Sequence, residues 1–345
     1  GAHDGLFGRN DLGDRQIRIK LATQPLGQNG ESTPLFLAIA MDRVVQDDMA
    51  ELALEQEARQ FLGSALLITP AGGRVGLLGV SRQQLESDLQ RVTRARVLDL
   101  HVEQPFSVGE MTLTVAGEVA RITGITNRSQ SYYSPLGLGL ASLGAVTEIS
   151  LALPNEKATG HLRAGFGTGD SNPDDAISQE FRFDRNYSVG MVLFDELLGA
   201  IEVGSYNRIT DPTVSGQPPD GIDVHVTEGS VRGATYLQPV IEVVPFPWLA
   251  TRVGLVTAWS NAPIREPFNS YRNGGVATNH LGESTESLHL GTEINWALEL
   301  GAAEGSLTPL KLSPQVVLQG GHLQASEDLG GEMLHLLMAT GRVRW

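Results

Sequence analysis

The chain of 345 residues contains no cysteine and no stretch that approaches 18 consecutive apolar residues. The missing cysteine excludes a disulfide framework, a thiolate metal site and a cysteine nucleophile. The missing apolar run excludes a transmembrane helix, so a closed β-barrel is the remaining way in which this chain could cross a bilayer. Hydrophobic residues make up 41% of the composition, which is enough for a folded protein.

Positive charge is scarce as well. The chain has 25 lysine and arginine residues against 40 aspartate and glutamate residues, and its formal net charge is -15. Proteins that bind nucleic acid neutralise its phosphates with clustered lysine and arginine side chains. The sequence therefore predicts no nucleic-acid partner.

The most regular feature of the sequence is an alternation of apolar and polar residues. In the run 288–300, Leu288, Leu290 and Ile294 share one parity with Trp296 and two further leucines, while His289, Glu293 and Glu299 fall on the other parity. A period of two is typical of a strand with two unlike faces. Runs of this kind predict thirteen strands, at 15–26, 35–41, 61–69, 74–84, 98–103, 111–115, 145–153, 158–167, 231–244, 250–259, 288–300, 310–319 and 332–345.

Strand and loop lengths favour a membrane barrel over a soluble sandwich. The alternating runs extend over about 9–13 residues and a bilayer crossing takes about 9–11, whereas strands of soluble sandwiches are nearer 5–6. The connections alternate between short and long without exception, as periplasmic turns and extracellular loops do. The short ones are 27–33, 70–73, 106–110, 154–157, 245–249 and 301–309, and the long ones are 46–60, 85–95, 127–144, 168–230, 260–287 and 320–331. Residues 46–62 and 85–92 predict short helices in two of the long loops.

The predicted fold is therefore all-β, a single antiparallel up-and-down transmembrane barrel that takes up residues 1–345. With short turns on the periplasmic side, the first strand runs towards the periplasm, which implies an upward strand before it. Bacterial barrels have even strand numbers, so the count of thirteen predicts about 14 strands in total. The additional strand would lie upstream of Gly1 or within residues 1–12.

The carboxyl end carries a family resemblance. Alternate positions back from Trp345 hold Val343, Gly341, Ala339 and Leu337. Together with the strand pattern, this end resembles the terminal aromatic assembly signal of Gram-negative outer-membrane β-barrels of the porin and alginate-export kind, with Trp in place of the commoner Phe. The resemblance implies an outer-membrane location, a surrounding bilayer with lipopolysaccharide, recognition by the barrel-assembly machinery, and protein partners in that membrane.

Charged residues of the alternating runs predict a polar lumen. We expect an outer-membrane channel or export pore for a hydrophilic solute, with selectivity set by lumen charges. The alternatives are a non-conducting barrel that acts as a structural anchor or assembly partner, and a soluble all-β binding protein. No GxSxG or HExxH motif occurs, so neither an enzymatic activity nor a catalytic residue is predicted. The expected lumen-lining residues are Arg18, Lys20, Asp99, His101, Glu103, Glu118, Glu293, Glu299, Lys311, Arg342 and Arg344.

The connection 168–230 is far longer than the 12–15 residues beyond which loops are usually functional or disordered. Its apolar piece 189–201 needs a place to be buried, which an inward-folded constriction or plug would provide. The alternative is an outward hairpin that lies on the rim. The charged residues of a constriction would be Asp170, Asp174, Asp175, Arg182, Asp184 and Arg185. The aspartates could offer oxygen ligands to calcium, but their spacing is not that of a calcium loop. Solvated loop charge, with no metal and no cofactor, is the favoured interpretation.

Overall fold

The computed structural model describes residues 6–7, 13–27, 33–87, 90–131, 133–154, 157–215, 230–285, 287–301 and 313–344. All thirteen predicted strands are present in these residues. A two-residue strand, β9, is added inside the longest loop. The strands are β1 (Arg15–Leu26), β2 (Leu35–Gln46), β3 (Gln56–Ile68), β4 (Arg74–Glu86), β5 (Arg91–Val108), β6 (Met111–Thr126), β7 (Leu138–Ala152), β8 (Ala158–Gly167), β9 (Ile177–Ser178), β10 (Ala234–Phe246), β11 (Leu249–Ser260), β12 (His289–Gly301), β13 (Ser313–Ala325) and β14 (Met333–Arg344).

The strands form one sheet in which each long strand pairs antiparallel with its neighbours in the sequence. β8 pairs directly with β10, and β9 pairs parallel with β7. The predicted all-β, up-and-down architecture is confirmed. In the described residues, no ladder joins β1 to β14, so these two strands are the edges of the sheet.

The two faces of the sheet differ in exposure, as alternating side chains of a strand require. The outer face, defined by Ile19, Ile241 and Leu337, leaves these side chains 64–73% exposed. The inner face, defined by Asp42 and Glu293, keeps both at 1% or less. The apolar residues of the alternating pattern thus point away from the interior of the molecule, the reverse of a soluble sandwich.

Helical segments occur only in the connections, within the residues described. They are a 3-10 turn at Leu52–Leu54, a π-helix at Leu193–Leu198, α1 (Gly199–Ile209), α2 (Pro212–Ser215), α3 (Pro267–Arg272) and a second 3-10 turn at Glu327–Leu329. None of these segments has the length and apolar composition that a membrane-crossing helix needs.

The predicted helix at 85–92 is wrong, and the alternation of loop lengths has an exception there. β4 continues to Glu86 and β5 begins at Arg91, so only four residues connect the two strands. The strand ends are held because Gln84 on the inner face donates a hydrogen bond to the carbonyl of Met49 at 2.7 Å. The predicted helix at 46–62 is reduced to the turn Leu52–Leu54, since β3 already begins at Gln56.

Residues 1–12 do not supply a wall strand at the positions that the structure describes. Phe7 is 2% exposed and belongs to the main hydrophobic core. The carbonyl oxygens of Leu6 and Phe7 accept hydrogen bonds from Arg252 of β11 at 2.6 Å and from Ser188 of the longest loop at 2.9 Å. These two residues therefore lie against the inner face of the sheet, and the fourteenth strand of the structure is β9.

Candidate functional site: the inner face and the loop that crosses it

Charged side chains of β1 and β2, among them the expected lumen residues Arg18 and Lys20, lie on the inner face. Arg18 and Asp42 face each other across the β1–β2 ladder and form two hydrogen bonds of 2.7 Å. The Asp42 side chain is fully buried while that of Arg18 is 39% exposed. Lys20, two residues further along β1, pairs with Ala40 and is exposed. This part of the inner face is solvated.

The predicted residues of β5 and β6 come together in one cluster. His101 lies opposite Glu118 in the β5–β6 ladder, with its Nδ1 atom 3.6 Å from a Glu118 carboxylate oxygen and its Nε2 atom 3.9 Å from Glu103. Asp99, one inner-face position away on β5, is half-buried. Three carboxylates therefore surround one imidazole, which gives this part of the inner face a negative charge when the carboxylates are ionised.

The inner face of β7, β8 and β10 carries an interior network instead. The Arg163 guanidinium donates to Glu148 at 2.9 Å and lies 4.5 Å from the centre of the Tyr187 ring, which belongs to the longest loop. The Tyr187 and Tyr236 hydroxyls share a hydrogen bond. A polar network with this many partners holds its side chains in fixed positions.

The longest loop, residues 168–233 and called the long loop from here on, folds into the interior of the molecule. The loop begins after β8 at Thr168, whose carbonyl accepts a hydrogen bond from the Phe181 amide at 2.7 Å. Its two ends meet where the Phe183 amide donates a hydrogen bond to the Val231 carbonyl. Between these points the apolar residues of the loop form a buried core against the inner faces of β10 to β13. The loop contributes Phe181, Phe183, Tyr187, Val189, Met191, Val192, Leu193 and Phe194 to this core. The strands contribute Tyr236, Val240, Val256, Ala258, Leu290, Leu323 and Ala325.

Glu293 of β12 holds the deepest part of the long loop. Its carboxylate accepts the backbone amides of Met191 at 2.6 Å, Val192 at 3.0 Å and Leu193 at 2.9 Å. These amides open the π-helix, so the carboxylate occupies a position where unpaired N–H groups and the helix dipole both favour negative charge. Gly190 permits the approach with a φ of +76°, because a Cβ there would lie 2.8 Å from a Glu293 oxygen. Glu293 is on the predicted face, but the loop covers it and keeps it away from water.

The long loop also reaches the opposite side of the molecule. The Arg185 amide donates to Asp48 at 3.3 Å, and an Arg182 nitrogen lies 3.7 Å from the sulfur of Met49, both in the β2–β3 connection. Burial and the neighbouring Arg232 lower the pKa of Arg182. Asp184 accepts from the amide of Asn186 and so shapes the turn between the two arginines. Contacts with β10–β13 on one side and β2–β3 on the other mean that the loop crosses the interior.

The predicted aspartates of the loop have structural partners. Asp170 accepts the amides of Asn172 at 3.1 Å and Gln179 at 3.4 Å, and burial raises the pKa of Asp170. The carbonyls of Asp174 and Asp175 accept from Tyr133 and Ser131, which fastens this segment to the β6–β7 connection. In the described part of the chain, no group of three or more His, Asp or Glu side chains has metal-binding geometry.

Other predicted residues are placed as follows. Glu299 lies on the inner face, 3.2 Å from Arg252. Leu337, Ala339 and Gly341 of the resemblance to an assembly signal lie on the exposed outer face of β14. Lys311 and Trp345, together with the side chains of Arg342, Val343 and Arg344, lie outside the described residues.

Sequence reasoning missed the contribution of Phe7, Tyr187, Tyr236 and Gly254. A Cβ on Gly254 would lie 2.9 Å from the Phe7 ring, so this glycine makes the notch in β11 that holds the ring. A signal was available in β10 and β11, where Val240, Val256 and other apolar residues occupy inner positions as well as outer ones. A strand that is apolar on both faces predicts that its inner face is covered.

No protein-family model matches the chain, and no curated protein matches it. Solved structures similar in fold include OccK11 of Pseudomonas aeruginosa (10% identity, 100% of this chain and 73% of that one, TM-score 0.47), CdiB of Escherichia coli (12%, 95% and 52%, TM-score 0.43) and the siderophore receptor PirA of Pseudomonas aeruginosa (11%, 96% and 63%, TM-score 0.41). These structures are outer-membrane β-barrels. The chain spans about half the length of the CdiB chain and less than two thirds of the PirA chain.

Proposed function

We propose that the chain is a transmembrane β-barrel of the bacterial outer membrane that conducts a hydrophilic solute along the inner face of β1 to β6. The observation that carries the proposal is the inverted exposure of the sheet. Apolar side chains such as Ile19, Ile241 and Leu337 are exposed on the outer face, and no second sheet covers them in the described residues. A continuous apolar surface of this kind is covered by lipid in a membrane barrel and is a liability in water.

The inner face supports conduction in one half of the molecule. Arg18, Lys20, Asp99, Glu103 and Glu118 would line a wet path, because none of these side chains belongs to the core that the long loop forms, although Ala120 and Ile122 of β6 pack against that core. The carboxylates around His101 outnumber the cationic groups beside them, so we expect cations to be favoured over anions. The outward-facing residues of β14 would meet the lipid and the assembly machinery, and the loops would meet the lipopolysaccharide surface.

The long loop sets the bore in this proposal. It crosses from β10–β13 to the β2–β3 connection and therefore occupies part of the interior. Because Arg182 and Arg232 form a β-bridge, residues 183–231 can be replaced by an Asn-Gly turn without stretching the wall. We expect the purified full chain to give small stepwise currents in a planar bilayer, and the shortened variant to give currents several-fold larger with the same preference for cations.

A second variant tests whether the current depends on the position of the long loop, without removing any residue. The chain has no cysteine, so the double substitution Asp48→Cys and Arg185→Cys creates a single pair between the β2–β3 connection and the long loop. We expect its current to be lowest when oxidised and to recover on reduction. Silence from the full chain and from the shortened variant, with heat-modifiable migration showing a folded barrel, would overturn the channel and favour the structural anchor.

A further inference from the structure

Two histidines face each other on the outer surface of the sheet. His322 of β13 and His335 of β14 are direct partners in the ladder, and both are exposed. Their Nδ1 atoms are 2.6 Å apart, and the ring centroids are 4.8 Å apart at an interplanar angle of 70°. A hydrogen bond between two Nδ1 atoms requires that one ring carries a proton on that nitrogen and the other does not.

The surroundings of the pair are apolar. Ile294 of β12 is the other ladder partner of His322, and Met333 and Leu337 flank His335 on the same face. Met333 and Leu337 are 63% and 73% exposed. In the proposed barrel, two imidazoles would thus face the lipid three residues from the loop end of β13. Polar groups in such a position need partners, and here each ring finds one in the other.

We propose that His322 and His335 form a two-histidine site for a divalent transition-metal ion such as Zn²⁺, Ni²⁺ or Cu²⁺. Imidazole nitrogen is a preferred ligand of these ions. Two nitrogens about 2.05 Å from one ion are roughly 2.9 Å apart at a right angle and roughly 3.3 Å apart at the tetrahedral angle of Zn²⁺, so the rings need to separate by about 0.3 Å to 0.7 Å. The ring that donates through Nδ1 changes tautomer, so its proton moves to Nε2 and both Nδ1 lone pairs can bind the ion. The remaining positions of the ion stay open to water or to an anionic group at the membrane surface.

Binding would add a link between β13 and β14, which are already paired and of which β14 is an edge strand in the described residues. A ligand that binds only the folded form stabilises it by mass action, so the ion should raise the unfolding temperature. The effect belongs to the outer face and requires no change in the inner face or in the long loop. It therefore stands whether or not the barrel conducts.

The test is titration of the untagged full chain in detergent with Zn²⁺, followed by calorimetry and thermal unfolding. His322→Ala and His335→Ala should each weaken binding at least tenfold and abolish the Zn²⁺-dependent rise in unfolding temperature. His289→Ala is the matched control, because His289 also borders the outer face, 5.8 Å from the Trp259 ring, and no second histidine lies beside it among the described residues. With Cu²⁺, electron paramagnetic resonance should show two nitrogen ligands in the wild type and one in either variant.

Three results would overturn the site. These are unchanged binding in both single variants, equal loss in His289→Ala, and absence of binding by the wild-type chain at millimolar Zn²⁺. In the last case the two rings only share a proton. Thermal unfolding without metal shows whether either alanine variant is folded, so a loss of binding can be assigned to the missing ligand.

Discussion

The two halves of the sheet use their inner faces differently. On β1 to β6 the inner positions carry charged residues that pair with ladder neighbours, such as Arg18, whose side chain is 39% exposed, with the buried Asp42. On β10 to β13 many inner positions are apolar or covered by the long loop, and Val256 and Glu293 are both 0% exposed. One wall therefore carries partly solvated charges, while the other is one side of a hydrophobic core. The second role explains how a loop can be fixed inside a barrel.

The largest effect is expected from Glu293→Gln. The amide keeps the volume of the side chain but removes the charge that accepts three backbone N–H groups. Loss of a buried, hydrogen-bonded charge costs about 3 kcal/mol. Hydrogen exchange of the Met191, Val192 and Leu193 amides should accelerate roughly a hundredfold. Glu299→Gln is the control on the same strand and face, and exchange in the loop should not change there. Equal exchange in all three proteins would show that the carboxylate does not hold the loop.

Gly190→Ala should loosen the same contact by a smaller amount. A φ of +76° disfavours a residue with a Cβ by about 1–2 kcal/mol, and that Cβ would also meet the Glu293 carboxylate. Gly204→Ala in α1 is the matched control, since no atom lies within 4 Å of its Cβ position and alanine stabilises a helix by about 0.5–1 kcal/mol. We expect faster loop exchange only in the first variant, measured as before. Similar exchange in both would remove the role assigned to this glycine.

Hydrogen exchange in the long loop, which covers the inner face of β10 to β13, should depend on pH. Burial, and then repulsion by Glu293 and Glu196, raise the pKa of Asp195 to about 7. A carboxyl group with a raised pKa in the folded state stabilises that state below its usual pKa, and this contribution is lost as the pH rises through about 7. Loop exchange, corrected for its intrinsic pH dependence, should therefore increase between pH 5 and pH 8. Asp195→Asn should flatten that profile, and an unchanged profile would exclude Asp195 as its cause.

The smallest effect concerns ion selectivity. Asp99→Asn removes a carboxylate from the solvated half, whereas Glu242→Gln removes one that Arg252 already neutralises at 3.1 Å. In a salt gradient, the first substitution should shift the reversal potential towards zero by a few millivolts and the second should shift it less. A larger shift in Glu242→Gln would move the conducting path to the half that the loop covers.

The sheet could be predicted from the sequence because strand alternation is a local property. Each of the thirteen long strands contains its own period-two pattern. The face on which Leu337 or Ile19 lies therefore follows from the residues beside it in the sequence. The path of the long loop could not be predicted, because it depends on Glu293, about a hundred residues away, and on Gly190. The short connection between β4 and β5 was missed for a similar reason. Leu85, Leu89 and Val92 have helical spacing, but Gln84 is held in the strand by the distant Met49.

The position of Leu6 and Phe7 shows the same limit. The even-number rule and the direction of β1 predict a further wall strand, upstream of Gly1 or within residues 1–12, and the two described residues of that segment do not belong to the wall. The notch at Gly254 and the Arg252 guanidinium place these two residues inside. Neither residue has a distinctive sequence context.

The adjacent ends of the long loop have an evolutionary consequence. The Arg182–Arg232 bridge and the bond from the Phe183 amide to Val231 bring the two ends together before either reaches the sheet. The closure entropy of a loop grows only slowly with its length. Segments of different length and composition could therefore be exchanged at this point while the ladder between β8 and β10 is preserved. The sheet can remain constant while the inserted segment diverges. If the barrel conducts as proposed, replacement of this one segment would change which solute passes.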